Sequence, residues 1–318
     1  MNYPKVTVQI PTYNQSQYLA ETLNSVLMQD YPNLEIVVSD DNSSDATEQV
    51  VRSFSDSRIR YFRNPSNEGR VGNYRKALYE YSSGEWVVNL DGDDYFTVPD
   101  FISTGMKLIL QYREQGHPVV FYQAAITVTD EFRNSQVEKK HHLLTGNGQA
   151  VFSDYYFGKF RANRFFSHLT TIYNRELAVK AGFYEYNTHT TDFESMMKLS
   201  FYGDVILDNR NAGVWRLHDR NATHTAKTGF RKGGSLVFQR LPGYAAVAYG
   251  QQYTKKLERA VTRETHILHL ELLAEHGTFS SFVKHLLRYQ LFYKRIPILI
   301  LKSFVNMIKE RLRPDNGN

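Results

Sequence analysis

The strongest constraint on the fold is an alternation of short apolar runs with helix-forming segments over about the first hundred residues. The apolar runs are Lys5–Ile10, Leu34–Ser39, Ile59–Arg63 and Trp86–Leu90. The segments between most of them have apolar residues at helical spacing, as in Tyr18–Gln29. A strand, a helix and a second strand form the βαβ unit of a parallel sheet, so this part of the chain predicts an α/β fold.

The pattern after residue 100 is less regular but predicts more elements of both kinds. Helices are expected at Phe101–Gln115 and Asp192–Tyr202. Strands are expected at Val119–Val128, near Val205–Leu207 and near Val214–Leu217. The polar segment Glu131–Asn147 is interpreted as a loop.

The C-terminal part of the sequence is predicted to be helical. From about Gly234 we expect helices at roughly Tyr253–Glu275, at Phe279–Phe292 and from Pro297 onward. Glycines interrupt the pattern between Thr223 and Gly234, which is where a domain boundary is expected.

Composition and charge exclude several classes of function. The chain has no cysteine, which excludes disulfides, zinc–thiolate sites, iron–sulfur clusters and cysteine nucleophiles. The net charge is +5, but residues Phe282–Arg313 alone carry +7, so the remainder carries −2. A slightly acidic body does not support nucleic-acid binding, whereas an anionic surface could meet the tail. Neither a signal-peptide pattern nor an apolar run of about 20 residues is found.

Polar clusters follow three of the predicted parallel strands: Pro11–Asn14, Asp40–Asp45 and Asp91–Asp94. In open sheets of this kind, ligands bind beyond the carboxyl ends of the strands. An isolated Asp40–Asp41 pair is also typical of a turn or a helix cap. The three carboxylates within Asp91–Asp94 repel one another unless a cation lies among them, and hard oxygen ligands suit Mg²⁺ or Mn²⁺. A solvated acidic turn is the alternative.

Taken in order, these motifs resemble glycosyltransferase family 2, whose members have the GT-A fold. The family pattern has a strand ending in Pro-x-Tyr-Asn, an acidic pair followed by Asn/Gly-Ser-x-Asp-x-Thr, and a later Asp-x-Asp-Asp. Val6–Asp94 contains all three. The resemblance continues in Gly182–Glu185, in Thr191–Glu194 and in the Trp-Arg-x-His segment of Val214–Thr223.

The resemblance implies a GT-A-like, mostly parallel mixed sheet flanked by helices, with a C-terminal helical extension. Residues 1–228 would form the catalytic domain, with a nucleotide-binding half at 1–100 and an acceptor half at 101–228. Residues 229–318 would form the helical C-terminal region.

The same resemblance implies how a nucleotide sugar would bind. Tyr13 would stack on the nucleobase, Pro11 and Asn14 would shape its pocket, Asp91 would face the ribose, and Asp41 would accept a base N–H. A carboxylate there favours uracil, which has a donor at N3. The other nucleotide-binding candidates are Arg70, Asn73, His218 and Arg220.

Family resemblance also implies a metal and a catalytic base. Asp93, Asp94 and His218 would hold Mn²⁺ or Mg²⁺. Asp192 would deprotonate the acceptor hydroxyl, although Thr191 takes the position of the family's usual glutamate. An Asp192 that only caps its helix is the alternative.

The expected protein is thus an inverting, metal-dependent transferase of a hexosyl or N-acetylhexosaminyl group from a nucleotide sugar, expected to be a UDP-sugar. The resemblance makes a lipid-linked or polysaccharide glycan the expected acceptor. Three alternatives stay open: a haloacid-dehalogenase-type phosphatase using Asp91 and Asp93, a nucleotidyltransferase, and an inactive scaffold or glycan-binding subunit. The phosphatase leaves the earlier strand motifs unexplained, and the nucleotidyltransferase lacks its Gly-rich loop.

The tail has two interpretations. After Pro297, an apolar stripe of Leu301, Phe304, Val305, Ile308 and Leu312 lies beside basic residues, as in a helix on a membrane surface. The stripe could equally pack on the catalytic domain or form a homo-oligomer through the C-terminal helices. We expect a cytoplasmic protein, peripheral on the inner face of the plasma membrane.

Overall fold

The described part of the protein is built around one ten-stranded sheet. The computed structural model describes residues 3–132, 134–139, 145–157, 166–219, 221, 240–250 and 279–288, and single residues at 237, 270, 273, 303 and 305. The strands are β1 (Val6–Thr12), β2 (Leu34–Asp40), β3 (Ile59–Arg63), β4 (Trp86–Asn89), β5 (Tyr95–Phe96), β6 (Val119–Asp130), β7 (Ser135–Lys139), β8 (Thr145–Asn147), β9 (Thr171–Asn174) and β10 (Asp204–Leu217). The helices are α1 (Ser16–Leu27), α2 (Thr47–Arg52), α3 (Gly69–Lys76), α4 (Phe101–Glu114), α5 (Gly148–Phe157), α6 (Arg175–Lys180), α7 (Thr191–Leu199) and Phe279–Arg288.

The first four strands form the parallel part of the sheet, in the order β3-β2-β1-β4. Val6 of β1 pairs with Leu34 of β2 and with Trp86 of β4, so the three parallel strands begin at the same level of the sheet. Their carboxyl ends therefore meet at one edge of the sheet, which we call the carboxyl edge. The opposite edge, where the strands begin, is the amino edge.

The second half of the sheet is mixed. Strand β9 is antiparallel to both β4 and β6, β10 is parallel to β6, and β5 is antiparallel to β10. Because β5 follows the acidic turn after β4, its pairing brings the end of β10 beside that turn. The predicted α/β organisation is confirmed.

The sheet has one apolar face and one face with many buried polar groups. Alternation along β1 directs Val6, Val8 and Ile10 into the main hydrophobic core, with apolar residues of α1 and α4. The intervening Thr7 and Gln9 are also fully buried, and they make hydrogen bonds to Glu35 and Asn89. Buried polar side chains are stable when they are paired in this way.

Two expectations about local structure were wrong. The predicted loop at Glu131–Asn147 contains β7 and β8; the described β7 side chains are all exposed, so they lack the alternation that marks a half-buried strand. The two strands expected near Val205–Leu207 and Val214–Leu217 are one strand, β10. Irregular pairing with β6 between Leu207 and Gly213 shifts the register, and this shift disguises the strand's continuity in the sequence.

The chain divides into two compact units, Met1–Gly233 with Val247–Tyr249, and Gly234–Ala246 with Gly250–Asn318. In the second unit, Phe282 of the helix Phe279–Arg288 is fully buried in a small apolar cluster with Leu270. In the portion described, no helix is both long and apolar enough to cross a membrane.

Three predicted features lie wholly or mostly outside the described residues: the boundary between Thr223 and Gly234, most of the helix at Tyr253–Glu275, and most of the stripe after Pro297. The predicted division of the chain at residue 228 stays a prediction.

Candidate active site

The carboxyl edge of the parallel strands borders an open pocket of about 260 Å³. The loops after β1, β2 and β4, helix α3 and the end of β10 all contribute to its wall. Among the predicted site residues, those that line it are Pro11, Tyr13, Asp41, Arg70, Asn73, Asp91 and Asp93. The pocket is also lined by Trp215 and Asn221, so sequence motifs from opposite ends of the first 221 residues meet at one place.

Asp41 is held at the pocket by a residue that the sequence motifs did not indicate. Its Oδ1 accepts hydrogen bonds from Asn64 Nδ2 at 3.0 Å and from the backbone N–H of Glu68 at 2.8 Å. Within the described residues, Oδ2 of Asp41 has no hydrogen-bond donor. An oxygen in that condition on a residue that lines the pocket is suited to accept an N–H from a ligand. Asn64 follows β3, and only the strand-end rule could have indicated it.

Tyr13 and Asn14 have different surroundings. Tyr13 lines the pocket and is 49% exposed, which leaves its ring available to a planar ligand. Asn14 has a left-handed backbone with φ of 53° and does not line the pocket. Its Oδ1 accepts from Ser44 N at 2.8 Å and its N–H donates to Ser43 Oγ at 2.9 Å. Asn14 therefore connects the loops after β1 and β2.

Asp91 and Asn73 are both fixed by neighbouring side chains. Asp91 Oδ2 accepts from the Tyr74 hydroxyl at 2.8 Å, and its Oδ1 accepts from Asn89 Nδ2 at 2.9 Å. Asn73 Oδ1 accepts from Ser39 Oγ at 2.6 Å, and its Nδ2 donates to Ser39 O at 2.8 Å. Asn73 thus ties α3 to β2 as well as lining the pocket.

Arg70 joins the pocket to the segment before α7. Its Nη2 donates to Thr188 O at 3.0 Å, and the guanidinium lies 5.3 Å from the centre of the Tyr74 ring. Burial by itself lowers the pKa of Arg70, but Tyr74 and the carboxylates of Asp192 and Asp91 raise that pKa above its usual value. The charge of Arg70 is therefore stabilised by the negative charges of Asp91 and of Asp192 on α7.

Asp91, Asp93 and Asp94 form a cluster whose ligand oxygens lie within 4.8 Å of one another. Burial, followed by the charges of Asp93 and Asp91, raises the pKa of the Asp94 carboxyl well above its usual value. One Asp94 oxygen accepts from the Arg216 backbone N–H at 2.9 Å. Three crowded carboxylates with this excess of negative charge fit a hard divalent cation such as Mg²⁺ or Mn²⁺.

His218 contacts this cluster directly. Its Nε2 lies 2.9 Å from Asp93 Oδ2, and Asn221 Nδ2 donates to the same oxygen at 3.2 Å. The imidazole stacks on the Tyr18 ring at 4.7 Å, and the Arg216 guanidinium lies 4.8 Å from the same ring. Arg220, the remaining nucleotide-binding candidate, lies outside the described residues.

Gly92, within the acidic turn, is required by packing. A Cβ at this position would lie 2.6 Å from Gln15 Oε1 and 2.7 Å from Thr12 Oγ1. Thr22 of α1 donates its hydroxyl to the carbonyl oxygens of Gly92 and Asp94, at 3.0 Å and 2.7 Å. Contacts with α1 and with the end of β1 thus fix the position of the acidic turn.

Asp192 is a half-buried residue in the first turn of α7. The N-cap of α7 is Thr190, and its side chain makes no capping hydrogen bond. The interpretation of Asp192 as a helix cap is therefore wrong. An acidic residue in the first turn is still stabilised by the helix dipole.

Comparisons of sequence identify relatives of part of the chain. The description "Glycosyl transferase family 2" matches residues 7–180, which is more than half of the chain. A GalNAc(5)-diNAcBac-PP-undecaprenol beta-1,3-glucosyltransferase from Campylobacter jejuni is 34% identical over 171 residues, 50% of this chain and 52% of that protein. The Escherichia coli glucosyltransferase WfgD is 42% identical over 89 residues, 28% of this chain and 35% of that one. The matches thus span about half of one relative and a third of the other.

Comparisons of structure cover nearly the whole chain. Staphylococcus aureus TarS, residues 1–349 in complex with UDP-GlcNAc, aligns with a TM-score of 0.60 at 18% identity, over 96% of this chain and 81% of that one. The mannosyltransferase PcManGT of Pyrobaculum calidifontis, in complex with GDP-Man and Mn²⁺, aligns with a TM-score of 0.55 at 18% identity, over 98% and 89%. These likenesses confirm the predicted GT-A-like fold. With more than half of its residues matched by the family description, the chain belongs to glycosyl transferase family 2.

Proposed function

We propose that this protein is an inverting, divalent-metal-dependent glycosyltransferase that moves a hexosyl or N-acetylhexosaminyl group from a nucleotide sugar to an acceptor hydroxyl. One observation carries the proposal: Asp41, Asp91 and Asp93 line one pocket, and two of them belong to a crowded acidic cluster that could hold a cation. The family supports it, since its named relatives include glucosyltransferases. Membership of this family also removes the basis for the phosphatase and nucleotidyltransferase alternatives.

The nucleobase is proposed to be uracil. Within the described residues, Asp41 Oδ2 is an acceptor at the pocket with no donor, and uracil presents an N–H at N3. Cytosine has no N–H at that position, so UDP should bind more tightly than CDP. Calorimetric titration of both nucleotides with Mn²⁺ tests this, with Asp41→Asn as the variant that should abolish the preference. Equal affinities in the unmodified protein would contradict the assignment.

The proposed metal site is formed by Asp93, Asp94 and His218. A bound Mn²⁺ or Mg²⁺ would neutralise charge on the departing nucleoside diphosphate. Asp93 is fixed for this by the His218 and Asn221 nitrogens, and Asp94 by the Arg216 backbone. We expect Mn²⁺ with UDP to raise the melting temperature, because a ligand that binds only the folded state stabilises it. Excess EDTA should remove that increase.

Asp192 is proposed as the general base. It takes the proton of the acceptor hydroxyl while that oxygen bonds to the anomeric carbon and the bond to the leaving phosphate oxygen breaks on the opposite side. One displacement of this kind inverts the anomeric configuration. Asp192→Asn should lower turnover by roughly 10²–10⁴-fold and leave UDP affinity nearly unchanged. A variant with normal turnover, or a retained anomeric configuration in the product, would contradict this role.

The decisive experiment is a transfer assay with a panel of nucleotide sugars and a lipid-linked glycan acceptor. We expect Mn²⁺-dependent transfer from a UDP-sugar, and no transfer by Asp93→Ala. Tyr31→Phe is a matched control, because this buried hydroxyl only binds Pro4 O at the amino edge and should not affect transfer. A protein that binds UDP-sugars and acceptor but transfers none of them would favour the inactive-scaffold alternative.

The tail is proposed to attach the protein to the inner face of the plasma membrane, where a lipid-linked acceptor would be reached. Residues Phe282–Arg313 carry +7, and Leu287 on the helix Phe279–Arg288 is 70% exposed. Each basic residue near an anionic surface adds about 1 kcal/mol of attraction. The protein should sediment with anionic vesicles at low salt and dissociate at high salt. Equal sedimentation with neutral vesicles would contradict this, and a change in oligomeric state on truncation before Phe279 would favour a subunit contact.

A further inference from the structure

A buried hydrogen-bonded chain connects the donor side of the pocket to helix α7. Asp91 Oδ1 accepts from Asn89 Nδ2 at 2.9 Å, and the same amide nitrogen lies 3.2 Å from His168 Nε2. His168 Nδ1 lies 3.2 Å from the Tyr184 hydroxyl, and the Tyr184 backbone N–H donates to Ser195 Oγ at 3.0 Å. This series of hydrogen bonds therefore runs from the end of β4 to α7, the helix that carries Asp192.

The carboxylate of Asp91 determines the direction of these hydrogen bonds. An ionised carboxylate only accepts, so the Asn89 amide must present its nitrogen to Asp91 and hence also to His168 Nε2. In a neutral imidazole Nε2 then accepts from Asn89 and the Nδ1–H donates to the Tyr184 oxygen, while Nε2 also lies 3.7 Å from Asp91 Oδ1. His168 is 5% exposed and Tyr184 is 1% exposed. Bulk water is thus kept away from both groups.

Tyr184 has an unusual backbone that α7 holds in place. Its φ is 56°, in the left-handed region that a bulky residue rarely adopts. Lys198 of α7 donates to Gly182 O at 3.1 Å and to Glu185 Oε2 at 2.8 Å, on either side of Tyr184. Such conformations persist only where the surroundings fix them, and they concentrate at functional sites.

The same face of α7 includes Asp192. Ser195 lies three residues after Asp192 and Lys198 three residues further, which places all three along one side of the helix. A second contact strengthens the connection, because the Tyr74 ring packs against Tyr184 at 5.3 Å while its hydroxyl donates to Asp91. A shift of Tyr184 would therefore move the turn of α7 next to the candidate base.

We infer that His168 and Tyr184 are positioning residues. They hold α7, and with it Asp192, at a fixed position relative to the carboxylate of Asp91 on the proposed donor side. The inference rests on the proposed function, because it assigns Asp91 to the donor and Asp192 to the acceptor. Neither His168 nor Tyr184 lines the pocket. Their effect is transmitted through the two aspartates, so donor binding should order α7.

Hydrogen exchange at the α7 amides tests this without any turnover. In the unmodified protein, UDP with Mn²⁺ should slow exchange across Thr191–Leu199 by about tenfold, within the usual range of coupling between sites. The Tyr184→Phe variant keeps the ring and loses the hydroxyl, and its slowing should be twofold or less. Tyr31→Phe, which removes a buried hydroxyl at the amino edge, should behave as the unmodified protein.

The outcomes separate the inference from the proposed function. If the unmodified protein binds no UDP or other nucleoside diphosphate, the proposed function fails and the inference fails with it. If UDP binds and exchange at α7 does not change, or slows equally in Tyr184→Phe, the inference alone is overturned.

Kinetics give an independent test. Tyr184→Phe should lower kcat about tenfold with the donor KM unchanged, since the loss acts through Asp192. In the Asp192→Asn background it should have no further effect, whereas additive effects in this double-mutant cycle would overturn the inference. Ser195→Ala removes the contact from the α7 side and should reproduce the result, so the test does not depend on the folding of one variant.

Discussion

Buried carboxylates lie at both edges of the parallel strands, and the two edges surround them in opposite ways. At the amino edge, Glu35 is 5% exposed and accepts hydrogen bonds from Arg60 at 2.7 Å, Lys5 at 3.1 Å and Thr7 at 2.6 Å. At the carboxyl edge, the described structure has no ion pair between a lysine or arginine side chain and Asp91, Asp93 or Asp94.

The pKa values of Glu35 and Asp94 follow this difference, whereas burial raises the pKa of Asp91 but the His168, Tyr74 and Arg70 side chains outweigh it and lower that pKa. Burial raises the pKa of Glu35, but hydrogen bonds from Thr7, Ser83, Arg60 and Lys5 outweigh it and lower that pKa to about 2. The pKa of Asp94 is raised instead. A carboxylate that is paired with protein cations stabilises the fold, whereas crowded carboxylates with no lysine or arginine ion pair among the described residues indicate a binding site.

Asp94→Asn should give the largest effect. Removing one of three crowded charges should lower turnover on the order of 10²–10³-fold, as when a group that stabilises transition-state charge is lost. It should also raise the melting temperature of the metal-free protein, because like charges then repel one another less. Calorimetry without metal and a transfer assay with Mn²⁺ measure the two effects. A lower melting temperature of metal-free Asp94→Asn would contradict the difference between the two edges, because Asp94 would then stabilise the fold as Glu35 does.

Glu35→Gln should have the opposite pair of effects, with lower stability and nearly normal turnover. It leaves two cations beside a neutral amide, and breaking a buried pair from one side costs about 3 kcal/mol of unfolding free energy. Turnover at a temperature where the variant is folded should stay within about twofold, because the amino edge lies away from the pocket. Urea denaturation and the transfer assay check this pair of results. Lost turnover in a folded variant would count against a purely structural amino edge.

Acidification should remove the stability that ionised Glu35 contributes to the folded protein. A carboxyl with a lowered folded-state pKa contributes its stability above the unfolded value of 4.5, and loses it as the pH falls toward 2. Between about pH 6 and about pH 3 the difference in unfolding free energy between the unmodified protein and Glu35→Gln should shrink by about 2 kcal/mol. Urea denaturation of both proteins across this range measures it. A difference that is independent of pH would contradict the ion-pair explanation.

Lys5→Met should have the smallest effect. The Lys5 side chain is 41% exposed, so solvent screens its pair with Glu35, and Arg60 still binds the carboxylate. The expected loss is at most about 1 kcal/mol of unfolding free energy, with normal turnover. A loss as large as that of Glu35→Gln would mean that Lys5 alone compensates the buried charge.

Of the two groups of carboxylates, only the one at the carboxyl edge could be predicted from the sequence. Pro11–Asn14 and Asp91–Asp94 follow recognisable strands, and the rule for parallel sheets predicts that they meet. Glu35 lies in β2 between apolar residues, and nothing in its local pattern indicates that Lys5, Arg60 and Ser83 surround it. Those partners come from β3 and from the ends of other elements, and only the folded sheet brings them together.

The surroundings of α7 were less predictable for the same reason. His168 belongs to no motif, and 79 residues separate it from Asn89 in the sequence. The short strand β9 is fully buried but half polar, so it has no clear apolar alternation. Asp192 could be predicted because it lies in a family motif, whereas its connection to Tyr184 and Ser195 depends on tertiary packing.

The fit of Gly92 has an evolutionary consequence. Residues around it in the acidic turn face the pocket, but position 92 itself is constrained by Thr12 and Gln15 of a different element. A larger residue there is acceptable only if those two side chains shrink or move. Among related sequences, positions 12, 15 and 92 should therefore change together, and the glycine should persist even in homologues that have lost the acidic residues beside it.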